Sequence, residues 1–104
     1  MNKYRNKSTT IDNLKFASLK EARRYEELKL LLHAKKIDHL KLQPPYPIVV
    51  AGKYIATYYA DFQYTNLETG KETIEDVKGV KTQVYRLKKK LVETIYAISI
   101  TEIA

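Results

Sequence analysis

Two short stretches of the sequence together supply two carboxylates and a lysine at spacings that suit the binding of a cation. In IEDVKG, Asp76 and Lys78 are two residues apart, so a β-strand directs both side chains to one face. Asp61 lies upstream in the aromatic segment YYADFQY, where an unpaired buried charge would be costly. If Asp61 is opposite an even-numbered residue of a hairpin, such as Ile74 or Asp76, the three side chains share a face. In the Ile74 register the two carboxylates are about 7 to 8 Å apart, close enough to share one cation.

The same residues can also be explained without a functional site. A solvated strand edge would explain Asp76 and Lys78, and a surface carboxylate near a turn would explain Asp61. Glu75 is a competing acid, but it points to the opposite face from Lys78, so we prefer Asp76. The arrangement of all three on one hairpin favours a site.

Glu21 has two possible roles. It stands three residues after Ser18, which is the spacing of a capping box at the start of a helix. At about 100° per residue, it also lies on the core-facing stripe of that helix. The other members of the stripe are Tyr25, Leu28 and Leu32. Capping and approach to a metal site are compatible, and both roles stay open here.

Hydrophobic periodicity predicts the elements that must position these residues, in the order helix, strand, hairpin, helix and strand. Prolines at 44, 45 and 47 break the first strand and allow a second short one. The turn TNLETG joins the two strands of the hairpin. The predicted ranges are 18–36 for the first helix, 37–50 for the interrupted strand, 53–64 and 71–78 for the hairpin, 81–96 for the second helix and 97–103 for the last strand.

The second helix shapes the expected topology. Thr82 is its predicted N-cap, and an aliphatic stripe at steps of three and four is its predicted buried face. A strand, this helix and a final strand require a right-handed crossover, so the last strand should be parallel to its neighbour in a mixed sheet. The stripe consists of Val84, Leu87, Leu91 and Ile95.

Length and composition narrow the class of protein. The 104 residues suit one domain, which we divide into a basic arm at 1–15 and a domain at 16–104. The 19 basic against 12 acidic residues give a net charge of +7, which favours a polyanionic partner, with nucleic acid first and an anionic membrane surface second. No apolar run is long enough to span a bilayer, so we expect a cytoplasmic protein. The absence of cysteine excludes thiol catalysis and thiolate zinc sites.

Basic residues cluster around the second helix and in the arm. Such runs are usually a solvated helix face, but this helix begins a few residues after Lys78, where it could bind phosphates. The arm could contact the same polyanion. The candidates are Lys81, Arg86, Lys88, Lys89 and Lys90 in the helix region and Lys3, Arg5 and Lys7 in the arm.

A family resemblance connects these stretches. The order SLKEARRYEELK, LQPPY, YYADFQY, IEDVKGVKT and a Lys-rich helix resembles the PD-(D/E)XK nuclease superfamily. More narrowly, it is similar to small phage-encoded proteins related to Holliday junction resolvases. The resemblance extends from about Phe16 to the C-terminus. It implies an α/β (α+β) fold with a restriction-endonuclease-like αβββαβ core, in which helices flank a mixed four-stranded sheet.

The resemblance also implies roles for individual residues. Asp61 matches the first acid of the motif, Asp76 the second, and Lys78 the lysine. Glu21 matches the helical acid found in many members. Gln43, in LQPPY, matches a recurrent glutamine, and Ala60 departs from the nominal proline at a position that varies.

These residue types suit phosphodiester hydrolysis. We expect Mg²⁺, or Mn²⁺ as a substitute, to be held by Asp61, Asp76 and the Val77 carbonyl, with Glu21 beside them. Lys78 would orient the attacking water or stabilise the transition state. The expected function is a Mg²⁺-dependent endonuclease that acts on branched DNA such as Holliday junctions, in a bacterial host cell.

The expected state is a homodimer, because one domain makes one cut and a four-way junction needs two. The alternative is a non-catalytic basic module that binds DNA or RNA on the same scaffold. A third possibility is a protein partner of a recombination or packaging machine that keeps only the fold.

Overall fold

The computed structural model describes residues 8–104, so the predicted basic positions Lys3, Arg5 and Lys7 lie outside the described residues. Within this range the chain forms two helices and eight strands. In chain order they are β1 Thr9–Ile11, β2 Leu14–Phe16, α1 Leu19–His33, β3 Ile37–Leu42, β4 Pro45–Val50, β5 Lys53–Tyr59, β6 Phe62–Asn66, β7 Glu72–Val77, α2 Gln83–Tyr96 and β8 Ile100–Ile103.

A four-stranded sheet in the order β3-β6-β7-β8 forms the centre of the fold. β3, β6 and β7 are antiparallel neighbours, whereas β8 is parallel to β7. The predicted mixed sheet with a parallel last strand is therefore confirmed, as is the α+β class. β7 lies between two strands and is buried from Ile74 to Val77, which is typical of a strand covered on both faces.

Helix α1 covers one face of the sheet and begins where the sequence predicts. The Ser18 hydroxyl accepts a hydrogen bond from the Glu21 amide at 3.2 Å, which caps the helix. Tyr25 and Leu28 are buried as predicted, but Leu32 is 37% exposed and lies at the margin of the core. The hairpin of β1 and β2, for which the sequence pattern predicts no element, adds Phe16 to the same cluster.

The predicted strand at 53–64 is wrong in one respect, because it is two strands in different sheets. β5 pairs with β4 in a separate ribbon, and β6 belongs to the central sheet. The ladder of β3 and β6 ends at Leu42 opposite Phe62, and the ladder of β4 and β5 starts at Pro45 opposite Tyr59. The same two chain segments therefore stay paired through a bend two residues long on each side.

Backbone hydrogen bonds hold this bend. The Gln43 amide donates to the Asp61 carbonyl at 2.9 Å, and the Ala60 amide donates to the Pro44 carbonyl at 3.2 Å. Gln43 has a φ of 51°, a left-handed value that lets one strand turn out of the central sheet. Pro44 has no amide hydrogen to contribute to a continuous ladder, which favours a break at this point.

Helix α2 packs on the other face, but with a different side than the sequence predicts. Thr82 caps it by accepting a hydrogen bond from the Tyr85 amide at 3.1 Å, as predicted. Its buried residues are Tyr85 and Val92. The predicted core stripe is wrong for Val84 and Leu87, which are 63% and 61% exposed, whereas Leu91 packs against the core as predicted. The buried face is rotated by about a quarter turn because α2 packs against β4 and β5 with its aromatic side.

A buried ion pair joins α1 to the central strand. Glu75 is 1% exposed and points towards α1. Arg24 donates to its two carboxylate oxygens at 2.8 and 2.6 Å, and the Tyr64 hydroxyl donates to one of them. These bonds compensate the desolvation of the carboxylate. Burial of the phenol, together with its hydrogen bond to Glu75, raises the pKa of Tyr64 to about 12, although Arg24 acts in the opposite direction. Glu75 therefore stabilises the packing of α1 on β7, which agrees with the preference for Asp76 as the site residue.

Arg24→Met should destabilise the fold by about 3–5 kcal/mol, because it leaves the Glu75 charge buried without its partner. Urea denaturation followed by circular dichroism measures the loss. Arg23→Met, on the exposed side of α1, is the matched control and should change stability by less than about 0.5 kcal/mol. The double variant Arg24→Met/Glu75→Gln should recover part of the loss, and equal stability of Arg24→Met and Arg23→Met would contradict this account.

Candidate functional site

The bend between the two sheets fixes Asp61. Its backbone amide donates to the Glu75 carbonyl at 3.0 Å. Its carboxylate accepts a hydrogen bond from the Val77 amide at 2.7 Å. Burial raises the pKa of Asp61, while the Val77 hydrogen bond and the nearby Lys78 charge oppose that shift. The carboxylate is thus anchored beside β7 at one oxygen.

Asp61 lies just beyond the ladder that β6 and β7 form. The paired residues end with Phe62 opposite Glu75, and the Asp61 amide donates to the Glu75 carbonyl rather than pairing with Asp76. The predicted register with Asp61 opposite Ile74 is wrong, because Ile74 is opposite Gln63. Asp61 is still close to the other charges, since Asp61, Asp76 and Lys78 all act on the pKa of Glu21.

Asp76 is a buried carboxylate without hydrogen bonds in the described part of the chain. It is 1% exposed, and within residues 8–104 neither carboxylate oxygen has a hydrogen-bond partner. The Lys78 ammonium lies 3.7 Å from Oδ1, which is an ion-pair distance. Burial raises the pKa of Asp76 to about 6, although Lys78 acts in the opposite direction. An anion held in this state is available to bind a cation.

Lys78 stands between Asp76 and an aromatic ring. Its ammonium is 4.5 Å from the centroid of the Tyr85 ring, a cation–π contact. Its side chain is 29% exposed, so the ammonium is accessible from solvent. Lys78 follows the last residue of β7, and its amide donates to the Ile103 carbonyl of β8 at 2.9 Å.

Glu21 reaches the same group from the first turn of α1. Its backbone amide completes the Ser18 cap, while burial and the Asp61 charge raise the pKa of its carboxyl to about 7. Lys78 lowers this pKa and Asp76 raises it further. Of the predicted capping box, the structure shows the Ser18 half, in which the Ser18 hydroxyl accepts from the Glu21 amide. The Glu21 carboxylate faces the other charges instead. We call Glu21, Asp61, Asp76 and Lys78 the carboxylate–lysine cluster.

A cavity of about 270 Å³ opens next to this cluster. Glu21, Asp61 and Gln43 line it, so the structure brings Gln43 to the cluster. Lys15, which the sequence reasoning missed, lines the same cavity from β2. Nothing in the sequence marks Lys15, because its position depends on how the first hairpin packs against α1.

The basic residues of the second helix do not form one surface. Lys81 and Lys89 form ion pairs with Glu102, at 3.0 and 3.4 Å. Arg86 and Lys90 are exposed, on the side of α2 away from its buried residues. Lys88 is half-buried.

Glu102 is a second residue that the sequence reasoning missed. It is the neighbour of Asp76 in the parallel pairing of β7 and β8. The Tyr85 hydroxyl donates to it at 2.8 Å. That bond, with the bonds from Lys81 and Lys89, lowers the pKa of Glu102 to about 2. An acid in the last strand becomes notable only when the register of that strand is known.

The donor set suits a hard divalent cation in one respect. Carboxylate oxygens are the ligands that Mg²⁺ prefers, and Mg²⁺ keeps several waters, so two carboxylates are sufficient protein charge. The free oxygens of Asp76 and the second oxygen of Asp61 fit that requirement. In residues 8–104, however, no three His, Cys, Asp or Glu side chains stand at metal-binding spacing.

The fold and the cluster define a mixed α+β domain with a buried carboxylate–lysine cluster at the carboxyl end of its central strand. The sequence model of one family, described as a protein of unknown function (DUF1064), matches residues 1–101. The chain therefore belongs to that family. No curated protein and no solved structure matches the chain. No helix of the described residues has the length and hydropathy needed to cross a bilayer.

Asp76→Asn should stabilise the metal-free protein at neutral pH. The pKa of Asp76 rises from 3.8 to about 6 on folding, so the folded state binds the proton more tightly than the unfolded state. The resulting penalty is absent below about pH 4, grows up to about pH 6 and then stays constant at an order of 2–3 kcal/mol. Asn carries no charge, so the variant does not have this stability penalty.

Urea denaturation in chelator near pH 8 and about pH 4.5 checks this expectation. The variant should exceed the wild type by about 1–3 kcal/mol at the higher pH, with a smaller gap at the lower pH. Glu26→Gln, at an exposed position of α1, is the control and should give no pH-dependent gap. A gap that widens as the pH falls would contradict the buried-charge interpretation.

Proposed function

We propose that the chain is a Mg²⁺-dependent endonuclease that hydrolyses DNA phosphodiesters, with branched DNA such as Holliday junctions as its substrate. The observation that carries the proposal is the buried Asp76 carboxylate, whose oxygens have no hydrogen-bond partner in the described part of the chain, beside Asp61 and Lys78. Burying such a charge costs stability. A fold that retains this cost is explained if a cation binds there during function.

The order of the elements also supports the proposal. Apart from the β4–β5 ribbon and the first hairpin, the chain runs α1, β3, β6, β7, α2, β8. This is the αβββαβ order that the resemblance to PD-(D/E)XK nucleases implies. The resemblance assigns the first acid, the second acid and the lysine of the motif to Asp61, Asp76 and Lys78, which are all members of the cluster.

Each residue of the cluster has a role in this reaction. Asp61 and Asp76 would hold the metal, and when bound it supplies charge neutralisation at the phosphate and acidifies a water. The Val77 amide already orients the Asp61 carboxylate. Binding of a metal by its second oxygen would therefore cost no further side-chain freedom. Lys78 places its ammonium next to Asp76, where it stabilises the negative charge that develops on the phosphate oxygens.

The DNA would lie across the cavity beside the cluster. Gln43 and Lys15 line that cavity and can contact the backbone of a bound strand. Arg86, Lys88 and Lys90 add positive charge along α2, and Lys3, Arg5 and Lys7 remain proposed contacts of the arm. The net charge of +7 supports association with a polyanion.

A second candidate function is a non-catalytic module that binds DNA or RNA. The observation that favours it is the absence, in residues 8–104, of three acidic or histidine side chains at metal-binding spacing. The same positive charge would drive binding, and the cluster would have only a structural role. This function predicts binding that is indifferent to chelator and no cleavage of any substrate.

Incubation with a synthetic four-way junction, linear duplex and single-stranded DNA separates the two functions. With Mg²⁺ or Mn²⁺ the wild type should cut the junction, and with Ca²⁺ or chelator it should only bind. Asp76→Asn and Lys78→Ala should each reduce cleavage by about 100-fold or more, because each removes a group that acts on the transition state. Gel-shift binding at low salt should be retained.

Lys71→Ala is the matched control for Lys78→Ala. Lys71 is an exposed lysine just before β7, at the opposite end of that strand from Lys78, and its loss should leave cleavage unchanged. Undiminished metal-dependent cutting by purified Asp76→Asn would sink the nuclease proposal. Binding without cleavage by the wild type, with or without metal, would support the second candidate.

We also propose that the chain acts as a homodimer. A four-way junction is resolved by two cuts, and one domain carries one carboxylate–lysine cluster. The aliphatic stripe of α2 supports this state, because Val84, Leu87 and Ile95 are exposed on one side of the helix at steps suited to helix pairing. Exposed apolar stripes of this kind mark association surfaces.

Leu87→Glu should convert the dimer to a monomer, because two charges would be buried where the stripes meet. Light scattering after size-exclusion chromatography measures the mass. Arg86→Glu, at the neighbouring position outside the stripe, introduces the same side chain and should leave the dimer intact. A wild-type monomer at all concentrations tested would remove the dimer from the proposal.

A further inference from the structure

We propose that Tyr85 and Glu102 are positioning residues that hold the Lys78 ammonium beside Asp76. The inference rests on the proposed nuclease function for its consequence, but the contacts that carry it are properties of the chain alone. They link α2, β7 and β8 at the point where the cluster opens to solvent. No acid of the cluster is needed to make these contacts, so they form a separate support for the lysine.

Tyr85 is placed with little freedom. Its backbone amide bonds to the Thr82 cap at 3.1 Å, and its side chain is 8% exposed in the cluster that α2 buries. The ring lies 6.4 Å from the ring of Tyr58. The face of the Tyr85 ring is therefore presented to Lys78 by packing, before any substrate binds.

The Tyr85 hydroxyl fixes the remaining rotation of the ring. It donates to Glu102 at 2.8 Å, and burial together with this bond raises the pKa of the phenol. Glu102 is in turn fixed by Lys81 at 3.0 Å and Lys89 at 3.4 Å. Two lysines satisfy the Glu102 charge, so this acid does not compete with Asp76 for Lys78.

The consequence for Lys78 is a defined position at the end of a flexible side chain. A free lysine side chain samples many rotamers, and ordering it is entropically unfavourable. The ring contact at 4.5 Å and the ion pair at 3.7 Å restrict the ammonium from two sides. A preordered ammonium needs no reorganisation when charge develops nearby.

The opposing interpretation is that Glu102 only fastens α2 to β8. In that case its loss would lower stability and alter binding and cleavage together. A positioning role predicts a different pattern, in which the mobility of Lys78 changes and the rate of cleavage falls while DNA binding does not weaken. The experiment therefore needs a readout of Lys78 itself.

The first test uses metal-free protein without DNA. In protein carrying ¹³Cε-labelled lysine, the Lys78 ε-methylene resonance, assigned from its loss in Lys78→Arg, should be shifted upfield by the Tyr85 ring. Tyr85→Leu should abolish the shift, whereas Tyr85→Phe and Glu102→Gln, which remove or weaken the bond that holds the ring, should each reduce it. Glu72→Gln, an exposed acid at the start of β7, is the control and should leave the shift unchanged.

The second test measures cleavage. Glu102→Gln and Tyr85→Phe should each lower kcat by about tenfold, as is typical when a residue that orients a reacting group is lost. KM should stay equal or fall, since Glu102→Gln frees Lys81 and Lys89 for phosphates. The double variant should be no worse than the worse single variant, because both changes act on the same Tyr85–Glu102 contact: Phe removes the donor, and Gln removes the charge of the acceptor.

The outcomes distinguish this inference from the proposed function. A wild type that cuts no substrate defeats the nuclease proposal, while the resonance test still decides whether the ring and Glu102 hold Lys78. Persistence of the upfield shift in Tyr85→Leu, or an unchanged shift in Glu102→Gln, overturns the positioning role. Additive losses of kcat in the double variant, or a rise in KM alone, would also overturn it.

Discussion

Two consecutive carboxylates buried on opposite faces of one central strand are the constraint on which this structure depends. Glu75 and Asp76 are each 1% exposed in β7. Arg24 and Tyr64 bond to Glu75 and make its burial compatible with a stable fold. Asp76 has no hydrogen bond of this kind in the described residues and relies on Lys78 at ion-pair distance. Glu75 thus joins α1 to the sheet, whereas the oxygens of Asp76 stay available to bind a cation.

The bend between the central sheet and the β4–β5 ribbon supplies the second element of the site. Because of the bend, β6 begins only at Phe62, so Asp61 lies outside the ladder and its carboxylate accepts a hydrogen bond from the Val77 amide. In a continuous strand, Asp61 would be an ordinary paired residue of a regular ladder. The bend also brings Gln43 beside Asp61 through a direct backbone hydrogen bond. A local break in pairing, with Pro44 on one side of it, therefore creates the cavity next to the cluster.

Three sides of helix α2 make different contacts. Its aromatic side packs on the fold, its aliphatic stripe is exposed, and its first turn carries Tyr85 to Lys78. Its lysines divide between these surfaces, because Lys81 and Lys89 neutralise Glu102 while Lys90 stays exposed. A positive net charge is thus not the same as a uniform positive face. What α2 presents to a polyanion depends on how the helix is rotated against the sheet.

The sequence by itself determined the elements whose signals are local. The Ser18 and Thr82 caps, the turn after β6 and the parallel last strand follow from capping chemistry, turn residues and the crossover rule, and the structure contains all of them. The alternation along β7 also separated Asp76 from Glu75. Tertiary structure alone decided the rest, because it depends on contacts between segments distant in the chain. Three features depend on which surfaces pack together in the folded chain. They are the break at Asp61, the rotation of α2 that exposes Leu87, and the register that sets Glu102 beside Asp76.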